Sequence, residues 1–302
     1  MNYIFYHQNC YDGFGAAWAA WQHFGDKGAK YIPLSYGTSQ LSDIDLQKED
    51  NVFFVDFSIS NEDFEKLVDL VKTVTILDHH QTALDRFTDL SPYPGSTYEL
   101  RRDNVYVLFD MNKSGALITW EYFHPNVPIP PLISYISDRD LWLFKYPQSK
   151  SIHALLSAMP MDFMQWTNIS NKLYCSEEPV IHGNLLLDAQ ERTVSMICKK
   201  AYMTNISGYI VPIVNSTSHW SEVTNKLLDI YPYAPFAASY SDQPDGMRLY
   251  SLRSRADEDV DVAALALHFG GGGHVHAAGF KLPVTLQPIG LITLKEQSEE
   301  EK

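Results

Sequence analysis

One stretch constrains the fold of this 302-residue chain more than any other, and it is the run TILDHH at residues 75–80. Three apolar or β-branched residues lead directly into one acid and two imidazoles, which is typical of a buried strand where it leaves its sheet. In open α/β sheets, ligands bind outside the carboxyl ends of the strands. The sequence therefore predicts a metal or phosphate site at Asp78, His79 and His80.

Two earlier apolar runs end in residues of the same chemical kind. Residues 51–55 lead into Asp56, and residues 3–6 lead into His7. A single Asp-His-His triplet is also typical of a polar turn, so the triplet alone does not decide between the two interpretations. Three strands that each end in a metal-type ligand within the first eighty residues are difficult to explain by packing alone.

The chain alternates between strand-like and helix-like segments, which predicts an α/β fold with a parallel sheet. The predicted strands of the first part cover residues 3–7, 30–35, 51–56, 74–77 and 105–109, with a shorter one near Tyr98. One predicted helix of that part begins at Ala16, and others cover residues 61–71, 114–123, 152–174 and 185–202. A further helix begins over residues 132–136 and carries residues 137–142 at or just past its end. A second α/β domain is predicted from strands at 208–214, 235–240 and 248–253 and helices at 222–230 and 262–269.

Composition limits the partners and the compartment of the protein. A net charge of −14 argues against a non-specific grip on long duplex nucleic acid, which needs a basic face, but it allows a short anionic substrate. The three cysteines, Cys10, Cys175 and Cys198, have no regular spacing, so neither a disulfide framework nor a zinc ribbon is expected. Without a signal-like or membrane-spanning apolar run, we expect a cytoplasmic protein that does not bind membranes.

Five candidate metal ligands come from five separate predicted elements. They are His7, Asp12, Asp56, His79 and Asp138. A mixture of carboxylates and imidazoles suits Mn²⁺, Co²⁺, Fe²⁺ or Zn²⁺ better than Ca²⁺, which prefers oxygen ligands alone. One acid that bridges two ions about 3.5–4 Å apart gives a hydrolytic two-metal site. Each residue taken alone is also typical of a capping acid or of a hydrogen-bonded histidine.

A run of four glycines, residues 270–273, precedes His274 and predicts an anion-binding loop. Consecutive glycines let backbone amides approach an anion closely, and the imidazole adds a donor. The alternative is a flexible linker, which the small-residue segment 277–280 disfavours because it continues as a packing surface. Arg253 and Arg255, at the end of a predicted strand, are candidates for a phosphate clamp or for solvated surface charge.

Together these motifs resemble the DHH phosphoesterase family with its DHHA1 C-terminal domain, in the family's order and over nearly the whole chain. The motifs are Asp78-His79-His80, Asp56, the His7–Asp12-Gly13 turn, Ser137-Asp138, and Gly271 to His274 with Ala277-Ala278-Gly279. The resemblance implies two α/β lobes with the active site in the cleft. We expect a DHH catalytic domain at 1–184, a helical connection at 185–205, a DHHA1 substrate-binding domain at 206–290 and a charged tail at 291–302.

The resemblance also implies the chemistry, a phosphodiesterase in which two metal ions, usually Mn²⁺, activate water. Asp56 would bridge the metals, with Asp12, His79 and Asp138 completing one site and His7 belonging to the other. The predicted catalytic residues are Asp78, His80 and Arg253, and the predicted substrate-binding residues are Arg253, Gly271, Gly272, Gly273 and His274.

The expected substrates are short oligonucleotides or small cyclic nucleotides. The alternatives are a small-molecule phosphatase, of 3′-phosphoadenosine or pyrophosphatase type, and a degenerate nucleotide-binding protein. A homodimer is one option for the oligomeric state, which the sequence leaves open.

The first motif departs from the family, because the first of its two acids is missing. Counting back from Asp12 puts Cys10 in that place, whereas counting forward from His7 puts Asn9 there. A thiolate, a water molecule beside a small buried cysteine, or the amide oxygen of Asn9 could replace the acid. The hard oxygen-and-imidazole character of the other ligands favours water or Asn9 over Cys10.

Overall fold

The computed structural model describes residues 1–35, 41, 44–84, 87, 91–93, 97–257, 259–286 and 288. The chain divides into an N-terminal unit, Met1–Asp188, and a C-terminal unit, Ala189–Lys302. In the part of the chain that the structure describes, no helix is long and apolar enough to cross a membrane. The predicted tail at 291–302 lies outside the described residues, and the predicted domain limits stay predictions.

The N-terminal unit is built on a seven-stranded sheet. Its strands are β1 (Asn2–His7), β2 (Ala29–Leu34), β3 (Asn51–Val55), β4 (Thr73–Asp78), β5 (Ser91–Tyr93), β6 (Thr97–Arg102) and β7 (Val105–Asp110). The order across the sheet is β2-β1-β3-β4-β7-β6-β5. The first five of these pair in parallel, and β6 and β5 add an antiparallel edge. The predicted α/β fold with a parallel sheet is confirmed.

Helices cover both faces of this sheet. They are α1 (Tyr11–Gly28), α2 (Asn61–Leu70), α3 (Gln81–Leu84), α4 (Gly115–Phe123), α5 (Pro131–Asp140), α6 (Ser149–Ser157), α7 (Phe163–Lys172) and α8 (Glu178–Cys198), the last of which crosses the boundary between the units. Successive strand residues point to opposite faces. Phe53 accordingly packs in one core with α1 and α4, and Phe54 packs in the other core with α2. The segment predicted as mainly helical, 152–174, is divided between α6 and α7, with Pro160 in the break.

The C-terminal unit is a smaller α/β structure with a six-stranded sheet. Its elements are β8 (Tyr202–Ile206), β9 (Tyr209–Asn215), α9 (Trp220–Ile230), β10 (Phe236–Asp242), β11 (Met247–Ser254), α10 (Val262–His268), β12 (Gly272–His274) and β13 (Ala277–Pro283). The strand order is β12-β13-β11-β10-β9-β8, in which only β9 and β10 pair in parallel among the described residues. One core holds α10, and the other holds α9 with the last turns of α8.

The strand order places a switch point between β1 and β3. From β1 the chain passes through α1 to β2 on one side, and from β3 it passes through α2 to β4 on the other. The two helices pack in opposite cores, so the connections after β1 and β3 diverge. Such a divergence opens a crevice at the carboxyl ends of the strands. Tyr6 pairs with Val55, so the next residues along the two strands, His7 and Asp56, lie at that crevice.

Candidate metal centre

Asp56 is at the centre of the crevice, immediately after β3. Its backbone is left-handed, with φ of 53°, a conformation in which aspartate is enriched compared with most residues. Its amide still donates to the carbonyl oxygen of Leu77, at 2.9 Å, so the residue stays attached to β4. Its side chain is 1% exposed. The chain therefore leaves β3 in a turn that keeps this carboxylate buried at the carboxyl end of the sheet.

The two carboxylate oxygens of Asp56 contact different histidines. Oδ1 lies 3.1 Å from Nε2 of His79 and 3.9 Å from Nδ1 of His80. Oδ2 lies 3.6 Å from Nδ1 of His7, and it is buried without a hydrogen-bond partner among the described residues. A buried carboxylate oxygen that accepts no hydrogen bond is costly unless a cation satisfies it.

Asp56 is shared by three groups of potential ligand atoms, the third of which is Asp56 with Asp78 and His80. The first group is Asp12, Asp56 and His79, and the second is His7, Cys10 and Asp56; within each group one ligand atom per residue lies within 4.8 Å of the others. The structure thus brings together four of the five metal ligands predicted from the sequence, and it adds a cysteine to them.

Asp12 reaches the centre from the first turn of α1. Its carboxylate accepts hydrogen bonds from the amides of Gly115 (2.6 Å) and Ala116 (3.1 Å), at the N-terminus of α4, and lies 3.5 Å from Nε2 of His79. The free amides of a helix N-terminus favour a negative charge at that place. Ser114 caps the same helix through the amide of Leu117.

A glycine makes this approach of α4 possible. A Cβ added at Gly115 would overlap the side chain of Asp56 and lie 2.7 Å from its Oδ1. Gly13 has a similar role on α1, since its Cβ would lie 2.7 Å from the Cβ of His7. Both glycines therefore bring a helix into direct contact with a strand-end ligand.

Asp78 is fully buried and directs its oxygens to its own turn. Oδ1 accepts from the amides of His79 (2.7 Å) and His80 (3.2 Å) and lies 2.7 Å from Nδ1 of His80, while Oδ2 accepts from the hydroxyl of Ser58 at 2.5 Å. These contacts suit a group that positions His80 rather than one that contacts a substrate. The assignment of Asp78 as catalytic stays a prediction.

The structure distinguishes Asp138 from Asp140. The carboxylate of Asp138 accepts from the amides of Lys145 (2.8 Å) and Tyr146 (3.1 Å) and from the hydroxyl of Ser149 (2.5 Å), so its contacts hold the loop before α6. Asp140 Oδ2 instead lies 3.6 Å from Nε2 of His79. Residues two positions apart on a helix point in directions that differ by roughly 200°, so Asp138 and Asp140 cannot both face the same site. Asp138 was named from the sequence as a metal ligand, and that assignment stays a prediction. Asp140 was not named, although the second acid of Ser-Asp-Arg-Asp was a visible signal.

The charges of the centre are arranged for a cation. Burial, together with Asp56 and Asp140, raises the pKa of Asp12 well above its usual range, and burial raises the pKa of Asp140 too. Burial opposes both of the next shifts. Contact with Asp56 nevertheless raises the pKa of His79 to about 10, and the nearby rings of His7 and His79 keep the pKa of Asp56 well below its usual range. Three carboxylates crowd one imidazole, an excess of negative charge that a divalent metal would neutralise. The residues present therefore fit a metal centre.

Arg253 of the C-terminal unit, a predicted clamp residue, is held by its own fold. Its Nη2 donates to the hydroxyl of Ser221 at 2.7 Å and its Nη1 to the carbonyl of Leu252 at 2.9 Å. Arg255 donates to the carbonyl oxygens of Ala234 (3.1 Å) and Leu228, near the C-terminus of α9. The guanidinium of Arg255 thus satisfies backbone carbonyls, and its role as a phosphate clamp stays a prediction.

The glycine run has two structural roles. The amides of Gly270 and Gly271 donate to carbonyls of α10, and the φ of 78° at Gly270 ends that helix. Gly272–His274 then forms the edge strand β12, paired with β13, where the φ of 144° at Gly273 favours glycine. The first two amides are therefore already used, and the predicted anion site depends on Gly272, Gly273 and His274.

Known proteins share both sequence and fold with this chain, although no family model matches it. Uncharacterized protein R106 of Acanthamoeba polyphaga mimivirus is 32% identical over 298 residues, which cover 92% of this chain and 67% of R106. Oligoribonuclease NrnB of Bacillus subtilis (strain 168) is 24% identical over 296 residues, which cover 92% of this chain and 72% of NrnB. The solved DHH domain of PF0399, a member of the s1p family of ribosomal proteins, shares the fold, with a TM-score of 0.57 and 12% identity over 92% of this chain and 82% of that one.

Proposed function

The chain belongs to the DHH family of phosphoesterases and is a hydrolase of phosphate esters, and on that premise we propose that it is a metal-dependent phosphodiesterase that cleaves short oligonucleotides. The similarity to an oligoribonuclease over 92% of the chain supports this substrate class. The net charge of −14 supports it too, because tight binding of a long nucleic acid needs an extended basic surface, and so acidic a protein repels a long polyanion.

The proposal depends on Asp56, which joins the ligand group of Asp12 and His79 to that of His7 and Cys10. Asp12, Asp56, His79 and Asp140 would hold one divalent ion, while His7 and Asp56 would hold the other. When bound, such ions supply an activated water molecule and neutralise charge on the phosphate. We retain Mn²⁺ as the expected metal for the site made of carboxylates and His79.

His80 is the proposed hydrogen-bond donor to a phosphate oxygen. Although burial opposes protonation, the carboxylate of Asp78 raises the pKa of His80, which favours the protonated ring. Nδ1 contacts Asp78 at 2.7 Å, and we assign the donor role toward substrate to Nε2. A charged donor fixed in this way stabilises the negative charge that develops on the phosphate.

Arg253, Gly272, Gly273 and His274 are the proposed substrate-binding residues of the C-terminal unit, and Gly271 has a supporting role. The hydrogen bond from Arg253 to Ser221 holds the guanidinium in one orientation, and a held guanidinium loses less freedom when it binds a phosphate. A Cβ at Gly271 would overlap Gly279 and Phe280, so this glycine lets the start of β12 approach β13.

A substrate panel with Mn²⁺ tests the proposal. It compares a dinucleotide, a long single strand, cyclic mono- and dinucleotides, 3′-phosphoadenosine and pyrophosphate, under single-turnover and steady-state conditions. We expect the highest kcat/KM with the dinucleotide. Preferential hydrolysis of 3′-phosphoadenosine or of pyrophosphate would instead support the small-molecule phosphatase alternative.

A further inference from the structure

A cysteine lies in the candidate metal centre, where the first motif lacks a carboxylate. The sulfur of Cys10, a ring nitrogen of His7 and a carboxylate oxygen of Asp56 all lie within 4.8 Å of one another. Cys10 is a free, half-buried cysteine. Imidazole, carboxylate and thiolate are the three side-chain ligand types that bind Zn²⁺ in proteins.

The backbone around Cys10 leaves its sulfur available for binding. Cys10 is the N-cap of α1, with an extended backbone (φ −114°, ψ 132°), and its side chain makes no capping hydrogen bond. Its carbonyl oxygen accepts a hydrogen bond from the amide of Phe14 at 2.9 Å. Burial and the carboxylates of Asp56, Asp140 and Asp12 raise the pKa of the Cys10 thiol well above its usual range, so a bound cation is needed to stabilise the thiolate.

Asn9, the other residue that could replace the missing acid, has a different position. It is exposed, and its backbone is left-handed with φ of 56°. Cys10 therefore lies deeper in the crevice than Asn9 does. The hard character of the other ligands favoured Asn9 over Cys10, whereas these positions favour Cys10 over Asn9.

The carboxylate of Asp56 provides an independent observation that a ligand belongs here. Its Oδ2 is buried and accepts no hydrogen bond among the described residues, and it lies 3.6 Å from Nδ1 of His7. A cation bound by His7, Cys10 and Asp56 would satisfy this oxygen. A water molecule in the same place would need several polar partners of its own, which a thiol supplies poorly.

We propose that Cys10 is a direct ligand of the second metal ion, together with His7 and Asp56, and that this site prefers Zn²⁺ or Co²⁺ to Mn²⁺. The inference rests on the proposed function, because it requires that the centre holds metal ions. As the sulfur coordinates, the thiol releases its proton to solvent. A thiolate ligand makes this site softer than the site of Asp12, His79 and Asp140, so the two sites differ in metal preference.

Cobalt spectroscopy tests the proposal without an activity measurement. Co²⁺ is titrated into metal-free, full-length protein while near-ultraviolet absorption and bound cobalt are followed. We expect a thiolate-to-cobalt charge-transfer band that saturates at one equivalent and is absent from Cys10→Ser. Cys175→Ser and Cys198→Ser are the matched controls, since one removes an exposed and the other a buried cysteine, and both should keep the band.

Metal affinities give a second readout on the same proteins. Cys10→Ser should weaken Zn²⁺ binding at one site by at least about tenfold, and Cys10→Asp should shift that site towards Mn²⁺. Circular dichroism of both variants checks that they are folded. If Cys10→Asp is folded and binds Mn²⁺, and folded Cys10→Ser shows no charge-transfer band, the loss of the band is due to the missing thiolate ligand and not to a loss of structure.

The possible failures are distinguishable. A wild-type protein that binds cobalt and cleaves a dinucleotide, but shows no charge-transfer band, would overturn the role of Cys10 and leave the proposed function intact. A band that survives in Cys10→Ser would do the same. A wild-type protein that neither binds metal nor cleaves any substrate of the panel would overturn both proposals.

Discussion

The two candidate regions, the metal centre of the N-terminal unit and the glycine-rich β12 region of the C-terminal unit, differ in what their polar groups bind. In the metal centre, Asp12, Asp56 and His79 from separate elements contact one another, and one buried carboxylate oxygen accepts no described hydrogen bond. In the β12 region, the amides of Gly270 and Gly271 close a helix. Convergence of charged groups from distant elements is therefore a stronger sign of a site than a run of glycines.

The difference has a physical origin. Parallel strands bring their carboxyl ends to one edge, so acids and imidazoles at strand ends must meet whatever the loops do. A glycine run indicates only that the backbone can adopt unusual conformations. Its amides can donate to the last carbonyls of a helix as well as to an anion. The first region should thus respond to substitutions with lost metal and lost turnover, and the second with weakened substrate binding.

The largest expected effect follows from Asp56→Asn, which removes the charge shared by both ligand groups. Bound metal should fall at both sites, and kcat/KM for a dinucleotide should fall by more than about 100-fold. Asp110→Asn is the control, because Asp110 also ends a buried strand but binds Asn112 and Lys113. Metal content is measured by mass spectrometry of the purified proteins. Wild-type turnover in Asp56→Asn would contradict the shared-ligand model.

The next effect separates Asp140 from Asp138. Asp140→Asn should weaken metal binding about 10–100-fold, as loss of a metal-centre group does. Asp138→Asn should lower the free energy of unfolding by about 1–3 kcal/mol, because one oxygen of a buried, hydrogen-bonded carboxylate becomes a donor. Metal titration and urea denaturation of both variants decide between the roles. The reverse pattern would restore Asp138 as the ligand.

A smaller effect is expected from Gly115→Ala. The added methyl group overlaps Asp56, so α4 or Asp56 must shift, at a cost of about 1–3 kcal/mol in the free energy of unfolding and with weaker metal binding. Gly28→Ala is the control, since its Cβ would meet only the side chain of Phe24 at 3.1 Å. Unchanged metal affinity in folded Gly115→Ala would show that the close approach of α4 is unrelated to the centre.

The smallest effect belongs to the C-terminal unit. His274→Ala should raise KM for a dinucleotide by about tenfold, or roughly 1.4 kcal/mol, with metal content unchanged. His268→Ala, an exposed histidine at the end of α10, serves as control. Loss of metal in His274→Ala would mean that the two regions do not divide the work as described.

Much of the sheet was predictable because its signal is local. The apolar runs that end at His7, Asp56 and Asp78 state both the strand and its polar end, and the observed strands follow them closely. Asp140 was not named because the sequence left residues 137–142 at or just past the end of a helix. Only the observed length of α5, which ends at Asp140, shows which acid lies near His79. The partners of Asp138 and Arg255 lie in loops and helix ends whose course the sequence does not state.

A crystal structure of the protein soaked with Zn²⁺ and Mn²⁺ tests whether two metal ions share Asp56. Anomalous difference maps should show two peaks per chain, each about 2.0–2.2 Å from a different oxygen of Asp56. The peak near His7 should be zinc, and the peak near Asp12 and His79 should be manganese. A single peak, or two peaks of which one does not contact Asp56, would show that Asp56 does not bridge two metal ions.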